Sequence, residues 1–102
     1  MKIFAIVVTY NGMKWIEECL SSLYCSSLPL EVIVVDNYSS DETVSFIKSK
    51  FSNIMLFEPK ENLGFGKANN IGISYALRQN ADFVFLLNQD AWIFENTLQN
   101  LL

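Results

Sequence analysis

The chain has 102 residues, enough for one domain with one hydrophobic core. Its 51% hydrophobic and 14% aromatic content excludes an intrinsically disordered segment. A net charge of −4, with only seven Lys plus Arg and no basic cluster, sets DNA and RNA aside as partners. The chain has no His, and Cys19 and Cys25 have no further Cys to complete a zinc-ligand set, so both are read as reduced packing thiols.

The first apolar run, Ile3–Val8, is rich in β-branched residues and far too short to cross a bilayer. It passes directly into Thr9-Tyr10-Asn11 with no small-residue cleavage site, so it predicts a strand rather than a signal peptide. The expected location is therefore cytoplasmic, at most peripheral at the inner face of the membrane, with no integral membrane segment. Ile16, Cys19, Leu20 and Leu23 then repeat at the spacing of one helix face. Trp15, just before them, is assigned to core packing, the usual place of a large aromatic. Val32–Val35 is the second strand. A second helix carries Val44, Ile47 and Phe51, its start marked by Ser39 and Glu42 as a capping-box pair. Ile54–Phe57 is the third strand, and Ala68, Ile71, Tyr75 and Ala76 mark the third helix. Phe83–Leu87 is the fourth strand. A fourth helical pattern begins near Glu95 and brings Leu98, Leu101 and Leu102 to one side.

All four runs are nearly continuous rather than alternating, as strands buried on both faces read. The predicted fold class is α/β: an open parallel sheet of four strands alternating with three to four helices. The last helical pattern stops on two Leu in mid-repeat, so residues 1–102 are expected to form a single but incomplete domain.

In such a sheet, ligands bind at the carboxyl ends of the strands. Thr9, Tyr10 and Asn11 follow the first strand, and they suit a nucleoside pocket with Tyr10 as its aromatic face. Asp36 follows the second, where a carboxylate accepts hydrogen bonds from ribose hydroxyls or a base N–H, or serves as a turn residue. The segment Asn62-Leu63-Gly64-Phe65-Gly66-Lys67-Ala68-Asn69-Asn70 opens the third helix. Its glycines permit close backbone approach, and Lys67 adds charge near a helix N-terminus that favours anions. It lacks the full dinucleotide fingerprint and follows the wrong strand for it, which disfavours an NAD domain. Asn88-Gln89-Asp90 follows the fourth strand. Oxygen donors there suit Mg²⁺ or Mn²⁺, which take few ligands from protein and the rest from phosphates and water. A strand-terminating turn is the plainer reading of the same residues.

These segments, in this order, resemble the family 2 glycosyltransferases of the GT-A fold. The matching stretches are Val7–Asn11, Glu18–Leu23, Val34–Asp41, Asn62–Gly72 and Leu86–Asp90, so the resemblance covers essentially the whole chain. It implies the Rossmann-like half of a GT-A fold. It implies that Thr9, Tyr10, Asn11 and Asp36 hold the nucleoside, that Lys67 and Asn69 or Asn70 lie near the nucleotide, and that Asp90 binds the metal and diphosphate. Asn88 stands where the family's Asp-x-Asp has its first Asp. The Asn-x-Asp motif, together with the Asn-x-Gly-Phe-Gly loop, resembles the rhamnosyltransferase-like branch.

The implied function is the nucleotide-diphospho-sugar-binding part of an inverting glycosyltransferase that builds surface polysaccharide or glycan. The implied cofactor is Mg²⁺ or Mn²⁺, and the implied donor is UDP- or dTDP-linked, with dTDP-rhamnose as the specific guess. Inversion needs a base opposite the leaving group, and no second rim carboxylate has a claim to that role, so no catalytic residue is assigned and the chain alone is expected to be inactive. The alternative is a non-catalytic nucleotide-binding module that self-associates through an uncovered sheet edge.

Overall fold

The computed structural model describes residues 1–102. Eight elements alternate strictly: β1 (Ile3–Thr9), α1 (Ile16–Tyr24), β2 (Glu31–Asp36), α2 (Thr43–Lys50), β3 (Met55–Phe57), α3 (Phe65–Arg78), β4 (Phe83–Asn88) and α4 (Thr97–Leu101). The strands form one all-parallel sheet in the order β3-β2-β1-β4. The chain thus steps from β1 outward to β3, then returns across the sheet to lay β4 on the far side of β1.

That reversal decides which face each helix covers. Side chains alternate along a strand, so each strand feeds two cores. Ala5, Val7, Val32 and Val34 pack with Ile16, Leu20, Leu23, Ile47 and Leu98 on one face. Phe4, Ile6, Val8, Ile33 and Val35 pack with Ala68 and Ala76 of α3 on the other. Keeping one hand of crossover while the direction reverses requires this change of face. α3 approaches the sheet closely because Gly72 has no side chain: a Cβ there would stand 2.8 Å from Ile6 Cγ2.

Two expectations are corrected here. First, only β1 and β2 are buried on both faces. β3 is short and half-covered, and β4 is a sheet edge on which Phe83 and Leu86 are exposed. α3 lies mainly over β1 and β2, which leaves the Leu86 side of β4 open. Second, Ser39 and Glu42 do not form a capping box. The Ser39 hydroxyl donates instead to Asp36 Oδ1 at 2.6 Å, and α2 begins only at Thr43. The Thr43 N–H is taken by Asp41 Oδ1 at 2.9 Å. At the C-terminus α4 does form, but it buries Leu98 and leaves Leu101 and Leu102 exposed. No helix is long and apolar enough to cross a membrane.

Candidate functional site

In this strand order the direction of connection switches between β1 and β4. The carboxyl ends of two such strands leave a crevice that no connecting loop fills. A cleft of about 400 Å³ opens there, lined by Val8, Tyr10 and Trp15, by Asn37, by Asn62, Gly64 and Phe65, and by Asn88, Gln89 and Asp90. Its volume falls in the range of small-molecule sites.

Each wall has a local cause. On the β1 side the chain leaves the sheet through Asn11, whose φ of 46° is left-handed, a conformation that Asn tolerates better than most residues. The Asn11 carboxamide oxygen accepts from Ser40 N–H at 2.8 Å, and its own N–H donates to Ser39 Oγ at 2.9 Å. Below this lies Asp36, 2% exposed, which accepts from Thr9 Oγ1 at 2.6 Å, Ser39 N–H at 2.8 Å and Ser39 Oγ at 2.6 Å. Thr9, Asn11, Asp36 and Ser39 thus tie the loops after β1 and β2 into one hydrogen-bonded rim. On the third wall, buried Asn37 grips the glycine loop from both sides. Its Oδ1 accepts from Leu63 N–H at 2.9 Å and its Nδ2 donates to Gly64 O at 3.1 Å. That grip fixes the N-terminus of α3 at the cleft, with Gly64 at φ 84° as the turn into it. On the fourth wall, β4 closes in a turn in which Ala91 N–H donates to Asn88 O at 3.0 Å. Beneath it Cys19 is fully buried, its Sγ 3.6 Å from Asn88 O. Burial, with Asp90 adding negative charge nearby, pushes the Cys19 thiol up to about 12.

The sequence-predicted residues divide accordingly. Tyr10, Asn88 and Asp90 line the cleft together. Thr9, Asn11 and Asp36 do not line it; they brace its rim, and Asp36 also borders a separate hollow with Tyr38, Glu58 and Lys60. Asn69 is 5% exposed on the inner side of α3. Lys67 lies on an outer face of the same helix beside Asn70 and Arg78. Trp15 corrects the expectation of core packing. It is 39% exposed on the cleft wall, because it precedes α1 and falls outside the stripe of Ile16, Cys19, Leu20 and Leu23. Lys14 Nζ stands 5.5 Å from its ring. Asn37 and Gln89 line the cleft without having been assigned to it from the sequence, although both sit inside the motifs singled out there.

Chemically the cleft offers three exposed aromatic rings, Tyr10, Trp15 and Phe65, the first turn of a helix, and two oxygen-bearing side chains at Asn88 and Asp90. No Lys or Arg lines it. No group of three or more His, Cys, Asp or Glu stands ready to enclose a metal. The donor set instead fits a hard cation that takes one or two oxygens from protein and the rest from a bound phosphate.

The family model for glycosyl transferase family 2 matches residues 4–102. The chain is 33% identical to the poly(ribitol-phosphate) beta-N-acetylglucosaminyltransferase TarS of Staphylococcus aureus over 98% of its length. This chain belongs to glycosyl transferase family 2. The solved structure of TarS 1–349 with UDP-GlcNAc superposes with a TM-score of 0.87 at 33% identity over 99% of this chain. The mannosyltransferase PcManGT of Pyrobaculum calidifontis, in complex with GDP-Man and Mn²⁺, superposes with a TM-score of 0.86 at 32% identity over 97% of it. The O-antigen chain rhamnosyltransferase WbaN of Salmonella anatum is 33% identical over 89% of this chain. This family 2 chain spans only part of these relatives: 18% of TarS, 28% of WbaN, and 30% of the PcManGT chain. The fold is thus that of a portion of a family 2, GT-A glycosyltransferase, and relatives of this chain are crystallised with UDP-GlcNAc and GDP-Man.

Proposed function

We propose that this chain binds a nucleotide-diphospho-sugar in the cleft between β1 and β4, as the donor-binding part of an inverting glycosyltransferase of surface-glycan synthesis. One observation carries this reading. Aromatic rings, a helix N-terminus and an oxygen-donor pair converge at the switch point of the sheet, in a fold shared with proteins crystallised with nucleotide sugars. Tyr10 and Trp15 suit the faces of a base. The N–H groups of the α3 first turn suit phosphate oxygens. Thr9, Asn11 and Asp36 serve by shaping the nucleoside wall, whereas Asn69, buried on the inner side of α3, and Lys67, on an outer face of it, do not line the cleft.

A diphosphate entering a cleft with no basic side chain, in a chain of net charge −4, needs a cation. Asn88 and Asp90 are the residues that would hold Mg²⁺ or Mn²⁺, which when bound would stabilise the charge of a departing diphosphate. Asp90 is the only carboxylate on the cleft, so it serves the diphosphate and leaves no base for an acceptor hydroxyl. Sugar transfer by this chain alone is therefore not expected. The rhamnosyltransferase among the relatives supports a rhamnosyl donor, proposed here as dTDP-rhamnose, and the UDP-GlcNAc complex of TarS supports a UDP-linked one.

Titration calorimetry with UDP and dTDP, each with and without Mn²⁺, tests the reading. Metal-dependent binding that Asp90→Ala abolishes is the expected result, and the absence of heat at millimolar ligand would overturn it. A second reading, self-association, rests on β4. Its outer edge is uncovered and carries no charge or Pro to block pairing. A clean monomer by light scattering at tens of micromolar would remove it.

A further inference from the structure

The β1–β4 ladder ends at Val8↔Asn88, yet the two strands stay joined one step further by a side chain. Gln89 Oε1 accepts from Tyr10 N–H at 2.9 Å, and Gln89 Nε2 donates to Tyr10 O at 3.0 Å. One carboxamide thus satisfies both backbone groups of Tyr10, as a partner strand would. Asn88, Gln89 and Asp90 line the cleft together with Tyr10.

Space for this contact is reserved in the sequence. A Cβ on Gly12 would clash with Gln89 Oε1 and stand 3.1 Å from Gln89 Cδ, and its three nearest atoms all belong to Gln89. The backbone of Gly12 is not left-handed, so the missing side chain answers to the glutamine and not to a turn.

We infer that Gln89 is a positioning residue that locks the nucleoside wall at Tyr10 to the diphosphate wall at Asn88 and Asp90, with Gly12 as the notch that admits it. The inference rests on the nucleotide-binding reading above. It adds that the two walls act as a unit whose spacing is set by one amide. Tyr10 is 47% exposed, and without the amide its N–H and C=O turn to water. The ring then loses its fixed distance from Asp90.

The test uses Gln89→Ala, Gly12→Ala and the double variant, each checked for an unchanged far-UV spectrum. The first readout needs no ligand. Exchange of the Tyr10 amide hydrogen, followed by NMR, is protected in the parent chain and accelerated in all three variants. The second is affinity for UDP with Mn²⁺. Gln89→Ala is expected to weaken it by roughly ten- to a hundred-fold, the range for residues that orient ligating groups. Gly12→Ala is expected to match that loss, and the double variant to be no worse than Gln89→Ala. Equal Tyr10 exchange in parent and variants overturns the latch itself. Intact affinity in Gln89→Ala, or a further loss when Gly12→Ala is added to it, overturns the positioning role. Absence of UDP binding by the parent, with Tyr10 protected, overturns the nucleotide reading and with it the functional role of Gln89, while the latch stands.

Discussion

The substitution Asp36→Asn keeps the size of the side chain and removes one acceptor oxygen and one charge. The carboxylate is 2% exposed and accepts three hydrogen bonds of 2.6–2.8 Å. With its oxygen turned to the Ser39 N–H, the new carboxamide would present its nitrogen to the Thr9 and Ser39 hydroxyls, which now donate to Asp36. The Ser39 hydroxyl already accepts from Asn11 N–H at 2.9 Å, so reversing it as well would leave its own hydrogen without the Asp36 acceptor. One bond to a charged group is lost outright and a second is weakened. At about 1.5–3 kcal/mol per such bond, the expected destabilisation is about 2–4 kcal/mol. On a domain of this size that lowers the melting temperature by on the order of 10–20 °C. Urea unfolding followed by circular dichroism measures it, with an unchanged m-value as the sign that only stability moved. A loss under about 0.5 kcal/mol, within the range of ordinary surface substitutions, would refute the bracing role. If nucleotide affinity fell nonetheless, Asp36 would be a direct nucleoside ligand.

Three further outcomes follow from the same geometry. In the native chain an alkylating reagent at pH 8 is expected to modify Cys25, which is exposed, and to spare Cys19, which is sealed and whose thiol is pushed up to about 12; mass spectrometry should find one label per native chain and two in urea. At Asp41, burial raises the pKa, but hydrogen bonds from the Thr43 hydroxyl and N–H and from Met13 N–H outweigh it and hold the carboxyl below its ordinary value. A lowered folded-state pKa contributes stability above the unfolded value and loses it as pH falls through the folded one. Asp41→Ala should therefore flatten the acid limb of the stability profile, and an unchanged limb in denaturant titrations from pH 6 to below 4 would contradict this. Finally, Gly66 and Gly72 lie on the same helix with opposite surroundings. A Cβ at Gly66 meets nothing within 4 Å, whereas one at Gly72 meets Ile6. Thermal melts should show Gly66→Ala neutral or more stable by up to about 1 kcal/mol, and Gly72→Ala less stable than Gly66→Ala by about 1–3 kcal/mol of overpacking.

Much of the fold was legible because apolar runs and helical stripes are local properties. Ile3–Val8 and Val32–Val35 name two strands, and Ile16, Cys19, Leu20 and Leu23 name a helix face. The rank of a strand within the sheet is not local. Phe83–Leu87 is as apolar as Ile3–Val8, yet it forms an edge with Phe83 and Leu86 exposed, because strand order depends on where the chain turns back. The site divides in the same way. Polar residues directly after apolar runs marked the rim, and Tyr10, Asn88 and Asp90 do meet there. Which neighbours face the ligand and which hold the loops depends on pairings across the fold. Ser39 reads locally as the start of a capping box but belongs to Asp36, and Asn37 belongs to the glycine loop 26 and 27 residues further on. Nothing local marked the Gln89 amide as the partner of Tyr10, because the two are 79 residues apart and meet only through the β1–β4 pairing.

The adjacency of β4 to β1 also orders events in time. The residues joined across the cleft are 79 positions apart, so a growing polypeptide carries the Tyr10 wall long before the opposite one exists. Closing so long a loop is the slow, entropically costly step of assembly. On the proposed reading, a nucleotide that needs both walls engages only once β4 lies beside β1, so it would hold that pairing shut by mass action.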